Sequence, residues 1–528
     1  MQLDRMGSFH PTRLSFLRVL LRRMKRDAWR FDRPVFQIAP DGTGRAVYGA
    51  HGPKRSYSLV CFAHDLPDEA RSDRVIATRW DTTFALFDGV PTEADLARLG
   101  KNVPLQEAGR VTPSELTLSR ANRSVRLWDH VVETLAGGRQ PDPARLAEVG
   151  YLMRTTAVYG SGKFGAADRA DIADRPELAA PFQAEMLTVW LIRAFVADLI
   201  DAMAAHRSPM AVSLDPGLRR GLGIGNSTGL GMAPFLINHP VLLNNWIAAR
   251  EAALARIRGL ERAAAETRAA FADAVDMARD NAAAWRSTHS VQVRKLTDLR
   301  ADLDRVAAFA FPETRPWDAV WRWGEGALSL EGQEALLSLL LEPHGDLLDD
   351  LVETMSADED AAFPINGGMD LARLEDILET TYAPPDGPAA RIWYVSADKL
   401  EPRLGEAGPD LAPYAQPLAP LRDAMALRRD LAGRKGRVAD FLLDHPEHRH
   451  TVRRAQIVAR FPYAEIRGDT ASRDLLPIDL LRAKLSFFGA TRFDPRSDRW
   501  VRISLFQGAP YPGDLATCSA DEWAGGVP

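Results

Sequence analysis

Residues 177–205 read ELAAPFQAEMLTVWLIRAFVADLIDAMAA. Apolar side chains fall on most sides of the helix that this run predicts, instead of forming one stripe. Such a helix has to be surrounded by other elements, because apolar surface that stays in water is unfavourable. The sequence therefore predicts a central, buried helix here, around which the rest of the chain folds.

The composition is that of an ordinary globular protein. The chain has 528 residues, of which 46% are hydrophobic and 26% charged, and its net charge is −5. A slightly acidic chain has no excess of positive charge with which to bind a nucleic acid. No apolar run approaches the roughly 18 residues that a membrane span needs. We predict neither a nucleic-acid partner nor a transmembrane segment.

The chain has two cysteines, Cys61 and Cys518, at opposite ends. They are too few for a disulfide framework or a cysteine-rich metal site. This usage fits a reducing compartment, and we expect a cytoplasmic protein.

The N-terminal part combines one basic segment with short β-type runs. Residues 12–26, TRLSFLRVLLRRMKR, predict a basic amphipathic helix docked on the body of the protein. A membrane-surface helix or an organellar presequence is the alternative. Between residues 31 and 90, runs such as RAVYGA and SYSLVCFA alternate with turn signals and predict a small antiparallel sheet.

From residue 91 onward the pattern is mostly helical. Helices are predicted at 122–136 and 143–158, and the Ala-, Leu-, Arg- and Glu-rich region 240–312 predicts two long helices with a break at 288–290. Near the C-terminus, RIWYVS, FFGATRF and WVRISLF read as strands that flank helices at about 417–460.

The predicted fold class is mainly α, with a small N-terminal antiparallel β-sheet, a central long-helix bundle and a C-terminal α+β unit. The predicted domains are a basic amphipathic helix at 1–30, a small antiparallel β-rich domain at 31–110, a helical core with glycine-rich loops and the long helix pair at 111–312, a helical extension at 313–385 and a C-terminal α+β domain at 386–528.

The first candidate site is a glycine-rich loop, GLGIGNSTGLGMAPFLINHP, at 221–240, with five glycines within 11 residues. Glycine lets the backbone approach a ligand closely, and consecutive amides can point at an anion. His239 is a candidate proton-transfer group near neutral pH. In the alternative interpretation, the glycines let the chain cross tightly between packed helices. The predicted substrate-binding residues of this loop are Asn226, Ser227, Thr228, Gly229 and Asn238.

Two short likenesses occur in this loop. GLGIGNSTG resembles the phosphate loop of the small-metabolite kinases that include homoserine and mevalonate kinases, but Ile224, Gly225 and Asn226 separate its Gly-Leu-Gly from the hydroxyl pair. STGLGMAPFLINHP resembles the Ser-Ser-Met-Pro-Asn-Pro loop of the helical fumarase and aspartase lyases, but it lacks the lysine of that loop. Each likeness covers fewer than 20 residues, and neither assigns a family.

The second candidate site is RTTAVYGSGKFGAADR at 154–169. Glycines flank Lys163, whose ammonium group could grip an anion, or act as a base or nucleophile if an apolar pocket lowers its pKa. We predict Lys163 and Tyr159 as catalytic, and Arg154 and Ser161 as substrate-binding. The alternative is a glycine C-cap with a lysine placed near a helix C-terminus.

Two further clusters have mainly structural interpretations. Arg110, Arg120 and Arg123 could bind a carboxylate with Glu107 as a base, but we favour a polar helix-capping network. The histidines in HPEHRH at 445–450 sit on a predicted helix whose side chains two apart point in different directions, so we predict no metal site there. No residue pattern specifies a cofactor.

Three functional hypotheses remain. The first is an enzyme that acts on a small anionic metabolite, a carboxylate or a phosphate, by proton transfer, as a carbon–heteroatom lyase does. The second is a phosphotransferase that uses the glycine-rich loop, with Asp168, Asp171 and Asp215 as candidate Mg²⁺ ligands. The third is a non-catalytic helical assembly or interaction protein, which would form a homo-oligomer through the 240–310 helices.

Overall fold

The structure is a computed structural model. It describes residues 12–65, 79–104, 111–159, 174–178, 180–229, 240–288, 290–309, 315–355, 365–382, 393–396, 402–404, 411–413, 419–460, 488–490, 492–497 and 500–518.

One mixed sheet of nine strands organises the described chain, in the order β1-β2-β3-β4-β5-β6-β7-β12-β11. Neighbouring strands are antiparallel except β6 and β7, which are parallel. The strands of this sheet are β1 (Arg30–Ile38), β2 (Gly44–His51), β3 (Ser56–Ala63), β4 (Thr82–Asp88), β5 (Glu115–Arg123), β6 (Tyr151–Tyr159), β7 (Gly223–Gly229), β11 (Arg492–Ser497) and β12 (Trp500–Leu505). A separate three-stranded sheet, ordered β10-β8-β9, consists of β8 (Trp393–Ser396), β9 (Pro402–Leu404) and β10 (Leu411–Pro413).

The predicted fold class is wrong about the size and strand directions of the N-terminal sheet. The N-terminal sheet is neither small nor purely antiparallel, and the last two strands of the predicted C-terminal α+β unit belong to it. The predicted runs at β2, β3 and β4 are strands. The helix predicted at 143–158 ends at Val149, where Gly150 has a φ of 75°, and residues 151–159 form β6. This segment, YLMRTTAVY, contains Tyr, Thr and Val, which favour strands. The glycine-rich β7 has low strand propensity, which pairing on both sides overrides.

The described helices are α1 (Phe16–Arg26), α2 (Glu93–Asn102), α3 (Trp128–Ala136), α4 (Pro143–Val149), α5 (Gln183–Arg207), α6 (Pro216–Arg220), α7 (Pro240–Arg258), α8 (Ala265–Ala284), α9 (Ser290–Ala308), α10 (Trp317–Ala327), α11 (Leu330–Leu341), α12 (Gly345–Leu348), α13 (Leu351–Thr354), α14 (Leu371–Thr381), α15 (Ala419–Leu431), α16 (Val438–Asp444) and α17 (Arg449–Arg460). The predicted long pair at 240–312 is three helices, because the chain also breaks between α7 and α8. No described helix has both the length and the apolar character needed to cross a membrane.

The central buried helix is confirmed as α5. Every residue from Gln183 to Ala197 is buried. The helix lies against the sheet, where the hydroxyls of Thr188 and Thr117 on β5 are 2.7 Å apart and the rings of Phe195 and Phe84 on β4 meet edge to face at 5.6 Å.

Arg193, in the middle of α5, donates hydrogen bonds to backbone oxygens next to β7, the glycine-rich strand, and next to its neighbour β12. Its guanidinium donates to the carbonyls of Leu222 (2.7 Å) and Arg220 (2.9 Å), just before β7, and of Ala509 (2.7 Å), just after β12. The guanidinium also lies 3.9 Å from the centre of the Tyr511 ring. Burial lowers the pKa of Arg193 to about 10, so the group stays charged at neutral pH.

The basic N-terminal helix α1 is docked on the body of the protein. Leu17, Leu20 and Leu21 on its apolar side are at most 1% exposed. Its arginines make ion pairs with acidic side chains of residues 342–353, including Arg18 with Glu342 at 2.6 Å. Within the described helix, no apolar face is left for a membrane surface.

We predict that Arg193→Leu lowers the free energy of unfolding by about 2 kcal/mol or more. The substitution leaves the carbonyls of Leu222 and Ala509 without the guanidinium donor, and each such loss costs about 1–3 kcal/mol. The Arg220 carbonyl keeps a second donor, the Gly508 amide at 2.9 Å. Urea unfolding measures the change, with the exposed Arg139→Leu as the control. A loss below about 1 kcal/mol would contradict the central role of this guanidinium.

Stability should also fall as the pH drops below about 7. Burial, followed by the charge of Arg13, lowers the pKa of His344 below its ordinary 6.5. The folded state then binds a proton less readily than the unfolded state, so stability is full above about 6.5 and decreases as the pH falls toward the folded pKa. We expect unfolding curves between pH 7 and pH 5 to show this slope, and His344→Gln to reduce it. An unchanged slope in the variant would refute the assignment.

Candidate functional site

Two candidate segments, 160–173 and 230–239, follow neighbouring parallel strands in the chain. In the register of β6 and β7, Arg154 lies opposite Gly225 and Thr155 lies opposite Asn226. Adjacent strands are about 4.8 Å apart, and parallel strands end on the same side. Extending this register places Gly229, the last residue of β7, level with Val158, one residue before the end of β6 at Tyr159. We call this end of the sheet the carboxyl edge.

The described residues on either side of segment 160–173, which carries Lys163, lie at the carboxyl edge. The segment starts after Tyr159 and ends before Asp174. The next residue, Arg175, donates to Asp88 at the end of β4 at 2.5 Å, and Arg55 donates to Asp174 at 2.7 Å. Asp88 lies at this edge because β4 and β5 pair antiparallel, with Leu118 of β5 in turn opposite Tyr159.

Two predicted binding residues occupy adjoining register positions but opposite faces of the sheet. Arg154 is 4% exposed and lies opposite Asn122 on β5. Asn226 donates from its amide to the Thr155 hydroxyl at 3.3 Å, and that hydroxyl donates to the Gly225 carbonyl at 3.3 Å. Because side chains alternate along a strand, Arg154 faces away from the Thr155–Asn226 pair. Arg154 also lies five residues, about 16 Å, before the end of β6, and Asn226 lies three residues, about 10 Å, before the end of β7. The structure therefore does not bring the two together at the carboxyl edge.

The predicted glycine-rich loop is a strand over residues 223–229. β7 lies between β6 and β12, so its backbone groups point at the neighbouring strands. A Cβ added at Gly225 would lie 2.7 Å from the Tyr151 ring, and one at Gly223 would lie 2.5 Å from the Leu505 carbonyl oxygen. These glycines therefore permit close packing between strands. A cradle of consecutive backbone amides cannot form within β7, and binding by Ser227, Thr228 and Gly229 stays a prediction.

Several predicted residues lie outside the described part of the chain. They are Ser161, Lys163, Asn238 and His239 of the candidate sites, Glu107 and Arg110 of the polar cluster, and Asp168 and Asp171 of the phosphotransferase hypothesis. Tyr159, Ser227 and Thr228 are placed by their backbone positions in β6 and β7.

The described residues of the polar cluster serve structure, but Arg120, Asn122 and Arg123 lie in strand β5 and do not form the helix-capping network that we favoured. The Asn122 side chain accepts from the Asp81 amide at 2.9 Å, and the Asp81 carboxylate accepts from the Arg123 amide at 2.9 Å. The guanidinium of Arg120 lies 3.9 Å from the centre of the Trp80 ring. Together these contacts hold the start of β4 against β5.

The remaining acidic and histidine candidates are engaged in local contacts. Asp215 caps α6, accepting from the amides of Gly217 (2.9 Å) and Leu218 (3.1 Å). His448 is 2.8 Å from the Asp430 carboxylate, and this hydrogen bond lowers the pKa of Asp430. Among the described residues, no group of three or more His, Cys, Asp or Glu side chains is placed to hold a metal ion.

The sequence analysis missed a pair of residues at the carboxyl edge. The Tyr57 hydroxyl donates to Glu177 at 2.6 Å, and burial raises the pKa of Tyr57 well above its ordinary value. Glu177 also borders an open cleft of about 250 Å³. Charged side chains of both signs line this cleft, namely Arg23, Arg26, Asp27, Lys54, Glu177 and Glu353. Nothing in the sequence marks the pair, because its members come from a strand and from the start of a predicted helix.

Comparisons with protein-family models, with curated proteins and with solved structures found no match to this chain.

We predict that Gly225→Ala destabilises the protein by about 1–3 kcal/mol, because the new methyl group would overlap the Tyr151 ring. Thermal or urea unfolding measures the loss. Gly326→Ala is the matched control: nothing lies within 4 Å of its Cβ, and alanine is the better helix former. Equal stability of the Gly225→Ala variant and the original chain would show that close strand packing does not explain this glycine.

Proposed function

We propose that this protein is an enzyme that acts on a small anionic metabolite, a carboxylate or a phosphate, at the carboxyl edge of the sheet. One observation carries the proposal: β6 and β7 are parallel neighbours that end side by side. The segment that follows β6 carries Lys163, and the segment that follows β7 ends in His239. In open α/β sheets, ligands bind outside the carboxyl ends of parallel strands, and by analogy we propose the ligand at this end of β6 and β7.

The proposed roles follow from residue chemistry. The ammonium group of Lys163 supplies positive charge to the anionic substrate, and His239 or Tyr159 transfers the proton. Elimination at a carbon–heteroatom bond needs a base, an acid and a charge that holds the substrate, which this set provides. The proposed binding residues are Ser161, Ser227, Thr228, Gly229 and Asn238. Arg154 and Asn226, which the sequence analysis also predicted, lie inside the strands and are not part of this proposal.

The two other hypotheses lose support. A phosphotransferase needs carboxylates to hold Mg²⁺, and Asp215 already accepts two backbone hydrogen bonds as a helix cap. A helical assembly protein would use α7, α8 and α9 as free arms, yet Trp246, Phe271 and Leu299 on these helices are at most 2% exposed in the protein's own core. We propose a cytoplasmic location because both cysteines are free thiols.

A thermal-shift screen of carboxylated and phosphorylated metabolites tests the proposal. A ligand present at about 100 times its dissociation constant stabilises the folded protein by about 2.7 kcal/mol. We expect a hit to lose its shift in Lys163→Ala and in Ser227→Ala. Lys101→Ala, an exposed lysine in the last turn of α2, should retain the shift. A shift unchanged in both site variants would place the ligand elsewhere and remove these residues from the proposed site.

Proton transfer needs a separate readout. When the protein is incubated in D₂O with the hit, proton abstraction from carbon should incorporate deuterium into the recovered substrate, which NMR detects. His239→Gln should slow this exchange by about 10²–10⁴-fold. Binding without exchange in the original chain would show a binding protein instead of a proton-transfer enzyme.

A further inference from the structure

Helices α14, α15, α16 and α17 form a small unit with its own apolar core, separate from the main core. The backbone just before α14 bridges to the backbone just before α16, between Asp370 and Arg437. Buried side chains from all four helices meet in this core, namely Leu374, Leu378, Leu427, Phe441, Val452 and Ala455. We call these helices, with the loop 432–437 that precedes α16, the four-helix unit.

A short turn joins α16 to α17. Four residues, 445–448, connect the end of one helix to the start of the next. The His445 ring stacks on the Phe441 ring with centres 4.7 Å apart. The His448 ring lies 2.8 Å from the Asp430 carboxylate, which anchors the turn to α15. A connection of this length is typical of the helix-turn-helix, in which the second helix reads nucleic acid.

The second helix, α17, is basic and has no acidic residue. Its sequence is RHTVRRAQIVAR. At 3.6 residues per turn, Arg449, Arg453 and Arg460 lie within about 40° of each other around the helix axis, and all three are exposed. On the opposite side, Val452 and Ala455 are at most 4% exposed, because they pack in the core of the unit. The helix therefore presents a row of arginines to the solvent.

The loop before α16 adds further basic side chains close to this helix. Arg434, Lys435 and Arg437 are exposed. The Arg434 guanidinium lies 5.7 Å from the centre of the Phe441 ring. The His448 ring, immediately before α17, lies 5.9 Å from the same ring centre. The loop is therefore near the start of α17.

The charge of this part of the chain differs from that of the whole. Residues 419–460 contain ten Arg and Lys but five Asp and Glu, whereas the chain has a net charge of −5. Two of the five acidic side chains, Asp430 and Glu447, contact His448 and His445. The net charge of the whole chain, on which the prediction of no nucleic-acid partner rests, averages out this local excess of positive charge.

A row of arginines on one helix face complements a regular array of negative charges. Double-stranded DNA carries one phosphate charge per about 1.7 Å of its axis. Its major groove is about 12 Å wide and admits an α-helix, and arginine binds both phosphate and the edge of guanine. A membrane-surface helix, in contrast, inserts an apolar face next to its basic one. The apolar face of α17 is already buried in the four-helix unit, so DNA is the better match.

We propose that the four-helix unit binds double-stranded DNA, with the arginine face of α17 in the major groove and the basic loop before α16 on the phosphate backbone. The unit contains none of the residues assigned to the carboxyl edge. This proposal is therefore independent of the function proposed there, and either can be wrong without the other.

Fluorescence anisotropy of the full chain with a labelled DNA duplex of mixed sequence, about 20 base pairs long, tests the proposal. We expect a dissociation constant of about 10⁻⁴–10⁻⁶ M or tighter at physiological salt, and a steep loss of affinity between about 50 mM and 200 mM salt. A single strand of the same sequence lacks the groove and should bind at least about tenfold more weakly.

Variants locate the contact. The double variant Arg449→Gln/Arg453→Gln should weaken binding about tenfold or more and reduce the slope of log affinity against log salt by about 2, because each lost phosphate contact removes about 1. Both side chains are exposed, so the variant should keep the unfolding curve of the original chain. The matched control is Arg139→Gln/Arg262→Gln, which removes the same charge from exposed positions outside the unit and should bind like the original chain.

Three results would overturn the proposal. The first is no binding of the duplex by the original chain, and the second is equal affinity in Arg449→Gln/Arg453→Gln and the original chain. The third is binding to vesicles that contain phosphatidylserine but not to the duplex, which would make the basic helix face a membrane contact. Equal affinity for the duplex and the single strand would overturn the assignment to the major groove.

Discussion

The guanidinium of Arg193 is the interaction on which the sheet depends. It sits in the middle of a buried helix and binds carbonyls that come just before β7 and just after β12. These carbonyls belong to chain segments about 290 positions apart in sequence. A buried charge of this kind is tolerated only when its donors are satisfied, so it restricts where both segments can lie. Strands β12 and β11 consequently join the N-terminal sheet at one position, beside β7.

The helix that carries Arg193 also accounts for the parallel pair. Parallel neighbours need a long crossover connection, whereas antiparallel ones can be joined by a short turn. Between β6 and β7 the chain passes through α5, which covers the sheet. The other chain-adjacent neighbours in this sheet are antiparallel. The carboxyl edge, where two strands end side by side, is therefore a consequence of burying one apolar helix.

Many charged groups of the described chain contact each other or cap helices. The arginines of α1 pair with the acidic residues near 342–353, Arg175 pairs with Asp88, and Asp215 caps a helix. Such contacts explain why residue type alone was a poor guide to the candidate site: Arg123 and Asp215 fit a ligand-binding pattern as well as they fit structural roles.

The sequence by itself determined the elements whose signal is local. Apolar residues on most sides predict the buried helix at 177–205, and β-branched residues predict strands β2 to β4. The start of α2 is a capping box, in which Thr92 and Asp95 exchange hydrogen bonds. Only the tertiary structure decided that residues 151–159 and 223–229 are strands. Residues 223–229 are rich in glycine and carry little strand propensity, and pairing with β6 and β12 supplies the stabilisation. Residues 151–159 contain Tyr, Thr and Val, which favour strands, but only the structure shows that the helix before them ends at Val149. The residue types of the candidate site were visible in the sequence, and the proposal that they meet at one edge rests on the register and direction of β6 and β7. Non-local hydrogen bonds set that register, and no short segment encodes them.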